Sequence, residues 1–374
     1  MRVETFLDIL GADFFAGVPD SQLRALCDCL MNQYGTDAKH HVIGANEGNC
    51  VAMAAGYYLA TGKPAVVYMQ NSGEGNVINP VASLLQERVY GIPAIFVIGW
   101  RGEPGVHDEP QHVYQGAVTL KLLEDLEIEA FVLEKDTSLQ QMKEAMERFR
   151  VCLAKGRQVA FVIKKGALTY DVATQYTNPY TLLREEVLKR IVDYAGTSPV
   201  ISTTGKASRE LFEIREEKKQ GHGLDFLTVG SMGHSSSIAL SIALQKPQTK
   251  VWCVDGDGAL LMHMGAMAVL GAHAPQNLVH VVINNGAHET VGGMPTVASK
   301  VSLTDIARGC GYPYTVCVED MEALDKELEA AREKEQLCFI EVKCGIGSRE
   351  NLGRPTTTPK QNKQEFMELL KSYS

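Results

Sequence analysis

Four short, almost continuous apolar runs, at residues 65–69, 94–100, 251–255 and 278–284, constrain this chain more than any other feature. None alternates as a half-exposed strand must, and none is long enough for a buried helix. Such runs mark parallel strands covered on both faces. Around them the first half reads as strands at 13–18, 41–45, 127–133 and 158–164, with helices at 22–33, 48–61, 75–86 and 138–155. Ser21 is placed to cap the first of these helices. A stretch rich in Tyr, Thr, Pro and Asn, 170–180, then breaks the pattern as a linker would. The second half repeats the grammar, with strands at 199–203, 225–229 and 338–343 and helices at 184–195, 207–217, 235–245, 260–272, 321–334 and 361–372. Strand–helix alternation in two halves predicts an α/β chain of two doubly wound parallel-sheet domains, 1–175 and 182–374. Residues 345–360, with Arg349 and Arg354, read as a closing loop or a solvated tail.

Charge and cysteine content remove several classes of function. A net charge of -9 with scattered Lys and Arg offers no nucleic-acid surface. No window approaches the ~18 uncharged apolar residues of a membrane span. The first ten residues carry two acids, unlike a signal peptide. Nine cysteines without a C-x-x-C pair fit reduced thiols in a cytoplasmic protein.

In sheets of this kind ligands bind beyond the carboxyl ends of the strands. The run 251–255 leads into Gly256-Asp257-Gly258, and 278–284 leads into Asn284-Asn285-Gly286-Ala287. A strand–helix–strand unit places those two ends side by side. A carboxylate (Asp257), an amide oxygen (Asn285) and a main-chain carbonyl (Ala287) then form a donor set for Mg²⁺, which takes few protein oxygens plus phosphates. The helix start at Gly258 and Ala259 offers free N–H groups to a diphosphate, and Gly256 and Gly258 let the backbone come close.

The string Val-Asp-Gly-Asp-Gly (254–258) followed by the Asn284-Asn285 pair resembles the signature of the thiamine-diphosphate enzymes, and the resemblance extends over nearly the whole chain. It implies thiamine diphosphate and Mg²⁺ as cofactors, with Asp257, Asn285 and Ala287 as metal ligands. It also implies Met232, in Gly230-Ser231-Met232-Gly233, as the apolar prop that folds the cofactor's two rings together, with the Gly230 carbonyl as acceptor for the aminopyrimidine. Glu47, in Ala45-Asn46-Glu47-Gly48-Asn49, becomes the carboxyl beside the aminopyrimidine nitrogen, a role that needs burial and a raised pKa. Because Glu47 and Asp257 lie in different halves, the resemblance implies a homodimer or higher oligomer with sites shared between subunits. The short linker leaves no room for the middle domain of larger members.

Polar loops of the first half are most similar to those of the decarboxylases of phosphonopyruvate and, less closely, of sulfopyruvate. The segment Arg101-Gly102-Glu103 with Asp108-Glu109-Pro110-Gln111-His112 carries most of that likeness. The implied substrate is a small anionic 2-oxo acid with a tetrahedral anion on C3. Candidate residues for holding it are Asp20, Ser21, Asn71, Ser72 and Arg101, an Arg fork being well matched to such oxyanions. His107, His112 and His288 are the candidate proton carriers, since histidine titrates near neutral pH. Two rivals stand beside this reading: a carboligase using the same cofactor, and a non-catalytic phosphate-binding protein that would have no need of Glu47. A nicotinamide or flavin enzyme is disfavoured, because no G-x-G-x-x-G opens a helix after the first strand.

Overall fold

The structure, a computed structural model, describes residues 1–373. The chain divides into two compact units, Met1–Gln175 with Thr290–Met294, and Tyr176–Glu289 with Pro295–Ser374. Each is built on its own six-stranded, wholly parallel sheet.

In the first unit the strands are β1 (Phe15–Gly17), β2 (His41–Ile43), β3 (Ala65–Gln70), β4 (Ala94–Gly99), β5 (Glu129–Leu133) and β6 (Val159–Ile163), in the order β2-β1-β3-β4-β6-β5. The order reverses between β1 and β3, which makes their carboxyl ends the place for a ligand. The apolar runs are continuous because both faces are covered: Val66, Val67, Val97 and Val162 are fully buried. Phe161 meets Phe149 at 4.8 Å and Phe6 at 5.4 Å, so the helices Leu139–Ala154 and Val3–Leu10 share one aromatic seam.

The second unit contains β7 (Val200–Ser202), β8 (Asp225–Leu227), β9 (Val251–Gly256), β10 (Leu278–Asn284) and the strands Tyr314–Val318 and Cys338–Lys343. From one edge the order is Tyr314–Val318, Cys338–Lys343, β10, β9, β7, β8, reversing between β7 and β9. Strand β9 shows why the pattern is continuous. Trp252 and Val254 join the core with helix Arg184–Ala195, whereas Val251 and Cys253 join the core on the opposite face.

Several segments depart from the sequence reading. Residues 110–125 open on a stretch that reads as polar loop, yet they form the helix Pro110–Asp125, with a proline in its first turn. The expected helix 260–272 is two, Asp257–Met262 and Gly265–His273; at the break the His263 ring packs tilted against His234, with centroids 4.3 Å apart. Helix 75–86 begins at Glu74 and passes at Pro80 into a wider π turn, Val81–Leu85. Asp20, rather than Ser21, caps the start of the first predicted helix. The segment after Cys338–Lys343 is tied down rather than a solvated tail: Arg349 pairs with Glu185 and Glu213, and Arg209 Nε donates to the Gly353 carbonyl at 2.6 Å. That strap lies on helices Arg184–Ala195 and Lys206–Lys218.

Candidate active site

Parallel register sets the geometry of the second unit. Ile283 lies opposite Gly256, so Asp257 and Asn285 leave the sheet from adjacent strand ends. Asp257 opens helix Asp257–Met262, is 3% exposed, and accepts a hydrogen bond from Thr296 Oγ1 at 2.5 Å. Burial lifts its carboxyl to about 6. Nothing lies within 4 Å of a Cβ built on Gly256. A Cβ on Gly258 would touch Met232 Cε at 3.3 Å and His288 Cε1 and Thr296 Cγ2 at 3.5 Å. Met232 is therefore beside the start of that helix. Its turn is held in a strained form: Ser231 has a φ of 55° and Gly233 a φ of 87°. Gly233 cannot be larger, since a Cβ there would lie 2.7 Å from the Ala259 carbonyl.

Asn285 is fixed on two sides. Its Nδ2 donates to Glu289 Oε2 at 3.0 Å, and its Oδ1 accepts from the Ala287 N–H at 3.1 Å. The linker adds a brace, because Asn178 Nδ2 donates to the Asn285 carbonyl at 2.8 Å and to the Cys344 carbonyl at 2.9 Å. Among the described residues no three His, Cys, Asp or Glu side chains group to hold a metal. The available donors are thus one carboxylate and neutral oxygens. That set suits a hard dication whose other ligands are phosphate and water. The residues fit a Mg²⁺-diphosphate.

Glu47 opens helix Glu47–Thr61 after the Asn46 cap and is 5% exposed. Its Oε2 accepts from Asn76 Nδ2 at 2.7 Å. Burial raises its pKa, against the pull of the Asn76 bond. Gly73 is required beside it, because a Cβ there would lie 2.7 Å from the carboxyl. A second buried carboxyl, Glu74, carries no mark in the sequence. It is 1% exposed, and burial pushes it up to about 8 despite hydrogen bonds from Gln115 and Thr119. A carboxyl whose folded pKa is raised stabilises the fold fully below its ordinary value of 4.5, and that contribution is lost as pH rises towards 8. Each tenfold difference in proton affinity between the folded and unfolded chain is worth about 1.4 kcal/mol. Melting temperatures of wild type and Glu74→Gln, compared from pH 5 to pH 9, are expected to show a steeper alkaline decline in the wild type; parallel curves would refute the assignment.

The other first-unit candidates gather where β1, β3 and β4 end, but several are already engaged. Asp20 is a correction: its Oδ2 caps Gln22 and Leu23, and its Oδ1 accepts from Gln70 Nε2 at 2.5 Å. Asn71 is another, since its amide bonds the Arg101 N–H and carbonyl and Thr119 Oγ1, leaving no hydrogen for a ligand. The Arg101 fork grips Asp108 at 2.8 and 2.5 Å, and Nη1 reaches Ser21 Oγ at 3.3 Å. Burial would raise the Asp108 carboxyl, yet Arg101 and the Gly102 N–H hold it at about 2. What remains open to a ligand is the Nη1 edge of Arg101 and the exposed Ser21 hydroxyl, whereas Ser72 Oγ donates its one hydrogen to Gln70 Oε1 at 2.8 Å.

The histidines also differ from expectation. Burial and Arg101 push His112, in the first turn of Pro110–Asp125, down to about 4, and its Nδ1 is buried without a partner. Burial pushes His288 down to about 4. Both are uncharged at neutral pH and take up a proton less readily than a free imidazole. His107 is exposed on the loop. Thr296, Glu289, Asn178 and Asn76 were missed; each acts across a long sequence gap or through a fold contact that no local pattern marks.

Residues 3–123 match the model of the thiamine pyrophosphate enzyme N-terminal TPP binding domain, and residues 203–342 that of the C-terminal TPP binding domain. A phosphonopyruvate decarboxylase of Streptomyces viridochromogenes is 33% identical over 96% of this chain and 91% of its own. One from Streptomyces hygroscopicus is likewise 33% identical, with the same coverage of 96% and 91%. A sulfopyruvate decarboxylase of Methanosarcina acetivorans is 26% identical over 96% of this chain and 94% of its own. The chain therefore belongs to the thiamine pyrophosphate enzyme family, among its thiamine-diphosphate-dependent decarboxylases.

Proposed function

We propose that the protein decarboxylates 3-phosphonopyruvate without oxidation, giving phosphonoacetaldehyde and CO₂, a step toward 2-aminoethylphosphonate. The observation that carries this reading is the match to two phosphonopyruvate decarboxylases over 96% of the chain. Asp257, Asn285 Oδ1 and the Ala287 carbonyl would hold Mg²⁺. The N–H groups of Gly258 and Ala259 would hold the diphosphate, with Gly256 leaving the approach clear, Met232 propping the rings and the Gly230 carbonyl taking the amine. When bound, thiamine diphosphate supplies the electron sink for the departing carboxylate. Glu47 would exchange its proton at Oε1, since Asn76 Nδ2 donates to Oε2. The Nη1 edge of Arg101 and the Ser21 hydroxyl orient the phosphonate, and Ser72 joins them once its hydrogen turns away from Gln70. His112 and His288 remain the candidate groups for the proton steps, with His107 on its exposed loop a third.

We further infer a cytoplasmic homodimer or larger assembly with sites shared between chains. On helices Glu47–Thr61 and Gly265–His273, Leu59 is 74% and Val269 51% exposed within the chain, and Met264, just before the second helix, is 40% exposed. A second copy of the chain would cover these side chains. All nine cysteines are unpaired thiols, as a reducing compartment favours. No helix of the described residues is long and apolar enough to cross a membrane.

CO₂ release from phosphonopyruvate, sulfopyruvate and pyruvate, with and without thiamine diphosphate and Mg²⁺, tests the reading. We expect turnover that needs both additions, with kcat/KM for phosphonopyruvate at least ~10²-fold above pyruvate, because pyruvate leaves the anion donors unpaired. A preference for sulfopyruvate would move the substrate and keep the site. Cofactor binding without turnover would favour a carboligase.

A further inference from the structure

Asn285 faces a chemical ambiguity. The two ends of its amide have nearly the same shape, so either could point at a cation, and only the oxygen end can ligate one. The second unit contains a chain of charges that settles the matter. Glu289 follows β10 and accepts from Arg184 Nη1 at 2.5 Å and from Lys206 Nζ at 2.8 Å. Arg184 in turn grips Glu210 with Nε at 2.6 Å and Nη2 at 2.7 Å. Arg184 and Glu210 are 8% and 1% exposed. Lys206 leaves the carboxyl end of β7, the strand next to β9 at the reversal of the sheet. Two cations thus hold one carboxylate in place, and that carboxylate faces the Asn285 amide.

An ionised carboxylate only accepts hydrogen bonds, and the Ala287 N–H only donates. Nδ2 must therefore face Glu289, and Oδ1 must face the Ala287 N–H, as observed at 3.0 and 3.1 Å. A flipped amide would set oxygen against carboxylate and N–H against N–H. Both contacts work in the same sense, and the second is provided by the backbone in any variant.

We propose that Glu289 is a positioning residue that fixes the Asn285 amide with its oxygen end, which keeps a second lone pair, turned to the metal, and that Arg184 and Lys206 serve to hold Glu289 there. This rests on the reading of Asn285 as a Mg²⁺ ligand. Glutamine at 289 could both donate and accept, so it would tolerate either orientation and would no longer be pulled into place by two cations.

The experiment is a Mg²⁺ titration of the full-length apo protein at saturating thiamine diphosphate, followed by calorimetry, for Glu289→Gln, Asn285→Ala and the double variant. Thermal unfolding of each apo protein is measured alongside. Glu289→Gln is expected to raise the half-saturating Mg²⁺ concentration by ~10–100-fold, as loss of a group orienting a metal ligand does, with apo melting little changed. Asn285→Ala is expected to do at least as much. The double variant is expected to match Asn285→Ala, because Glu289 acts through that amide. Losses that multiply in the double variant, or wild-type affinity in Glu289→Gln, would overturn the proposal while sparing the ligand assignment. Wild-type affinity in Asn285→Ala would overturn both. If Glu289→Gln fails to fold, Lys206→Met carries the test from the partly exposed side: a several-fold weaker Mg²⁺ response supports the proposal, and an unchanged one refutes it.

Discussion

Glutamine in place of Glu47 is expected to lower kcat by roughly 10²–10⁴-fold, the usual worth of a positioned proton-transfer group, while Mg²⁺ and thiamine diphosphate still bind. The substitution is close to isosteric. The amide oxygen of the introduced glutamine can keep the bond from Asn76 Nδ2, now 2.7 Å long, and can lie against Gly73 as the carboxyl does. What it cannot do is exchange a proton. The carboxyl is suited to that exchange because burial raises its pKa, so the protonated form costs less than it would in water. Steady-state rates of CO₂ release, with cofactor binding followed separately by calorimetry, check the prediction. An unchanged kcat would remove Glu47 from the proton path, and a lost affinity with normal kcat would make it a binding residue only.

Arg215→Ala is expected to destabilise the protein by about 3–5 kcal/mol, the range for breaking a buried ion pair from one side. Arg215 and Asp225 are both 0% exposed. The guanidinium holds Asp225 through Nε at 2.9 Å and Nη2 at 2.8 Å, and gives Nη1 to Gln220 at 2.7 Å. This pair ties helix Lys206–Lys218 to β8, and that helix carries Lys206 and Glu210 of the network behind Asn285. Alanine leaves an ionisable carboxyl in an apolar interior with no partner. Urea unfolding of the single variant and of Arg215→Met with Asp225→Leu separates the pair's own worth from the cost of orphaning a charge. The double apolar variant is expected to regain most of the loss; a double variant as unstable as the single would show that packing, not charge, governs this position.

The sheets were legible in the sequence because strands buried on both faces leave continuous apolar runs. Helix Arg184–Ala195 was legible to the residue because its apolar face repeats at helical spacing and Gly196 ends it. Asp257 and Asn285 could be placed together because a strand–helix–strand unit has one handed solution. Pro110–Asp125 was not legible. Its first turn is polar, and its Gly116 serves a tight approach to the Gly102 carbonyl, where a Cβ would lie at 1.8 Å. That is a tertiary reason for glycine inside a helix, and it looks like a loop signal in one dimension. The demotion of Asp20 and Asn71 has a similar origin. Both are polar residues at strand ends, where ligands bind, yet capping and bracing need the same residue types at the same places. Nor could spacing reveal that Arg184 meets Glu289 across 105 positions, or that Asn178 meets Asn285 across 107.

That last contact bears on how such enzymes are assembled. A sulfopyruvate decarboxylase subunit beta of Methanocaldococcus jannaschii is 33% identical over 50% of this chain and 97% of its own length, and a subunit alpha of Methanococcus maripaludis is 34% identical over 34% of this chain. Those proteins are named as a beta and an alpha subunit. Here the joining segment is no passive tether, since Asn178 is hydrogen-bonded into the second unit beside Asn285 and Cys344. Just before Tyr176 the same segment is tied to the first unit, where the Thr174 N–H donates to Asp28 Oδ1 at 3.2 Å and Asn32 Nδ2 to the Val172 carbonyl at 3.2 Å. One continuous polypeptide also delivers the two units in fixed one-to-one stoichiometry, which separately translated subunits reach only through matched synthesis.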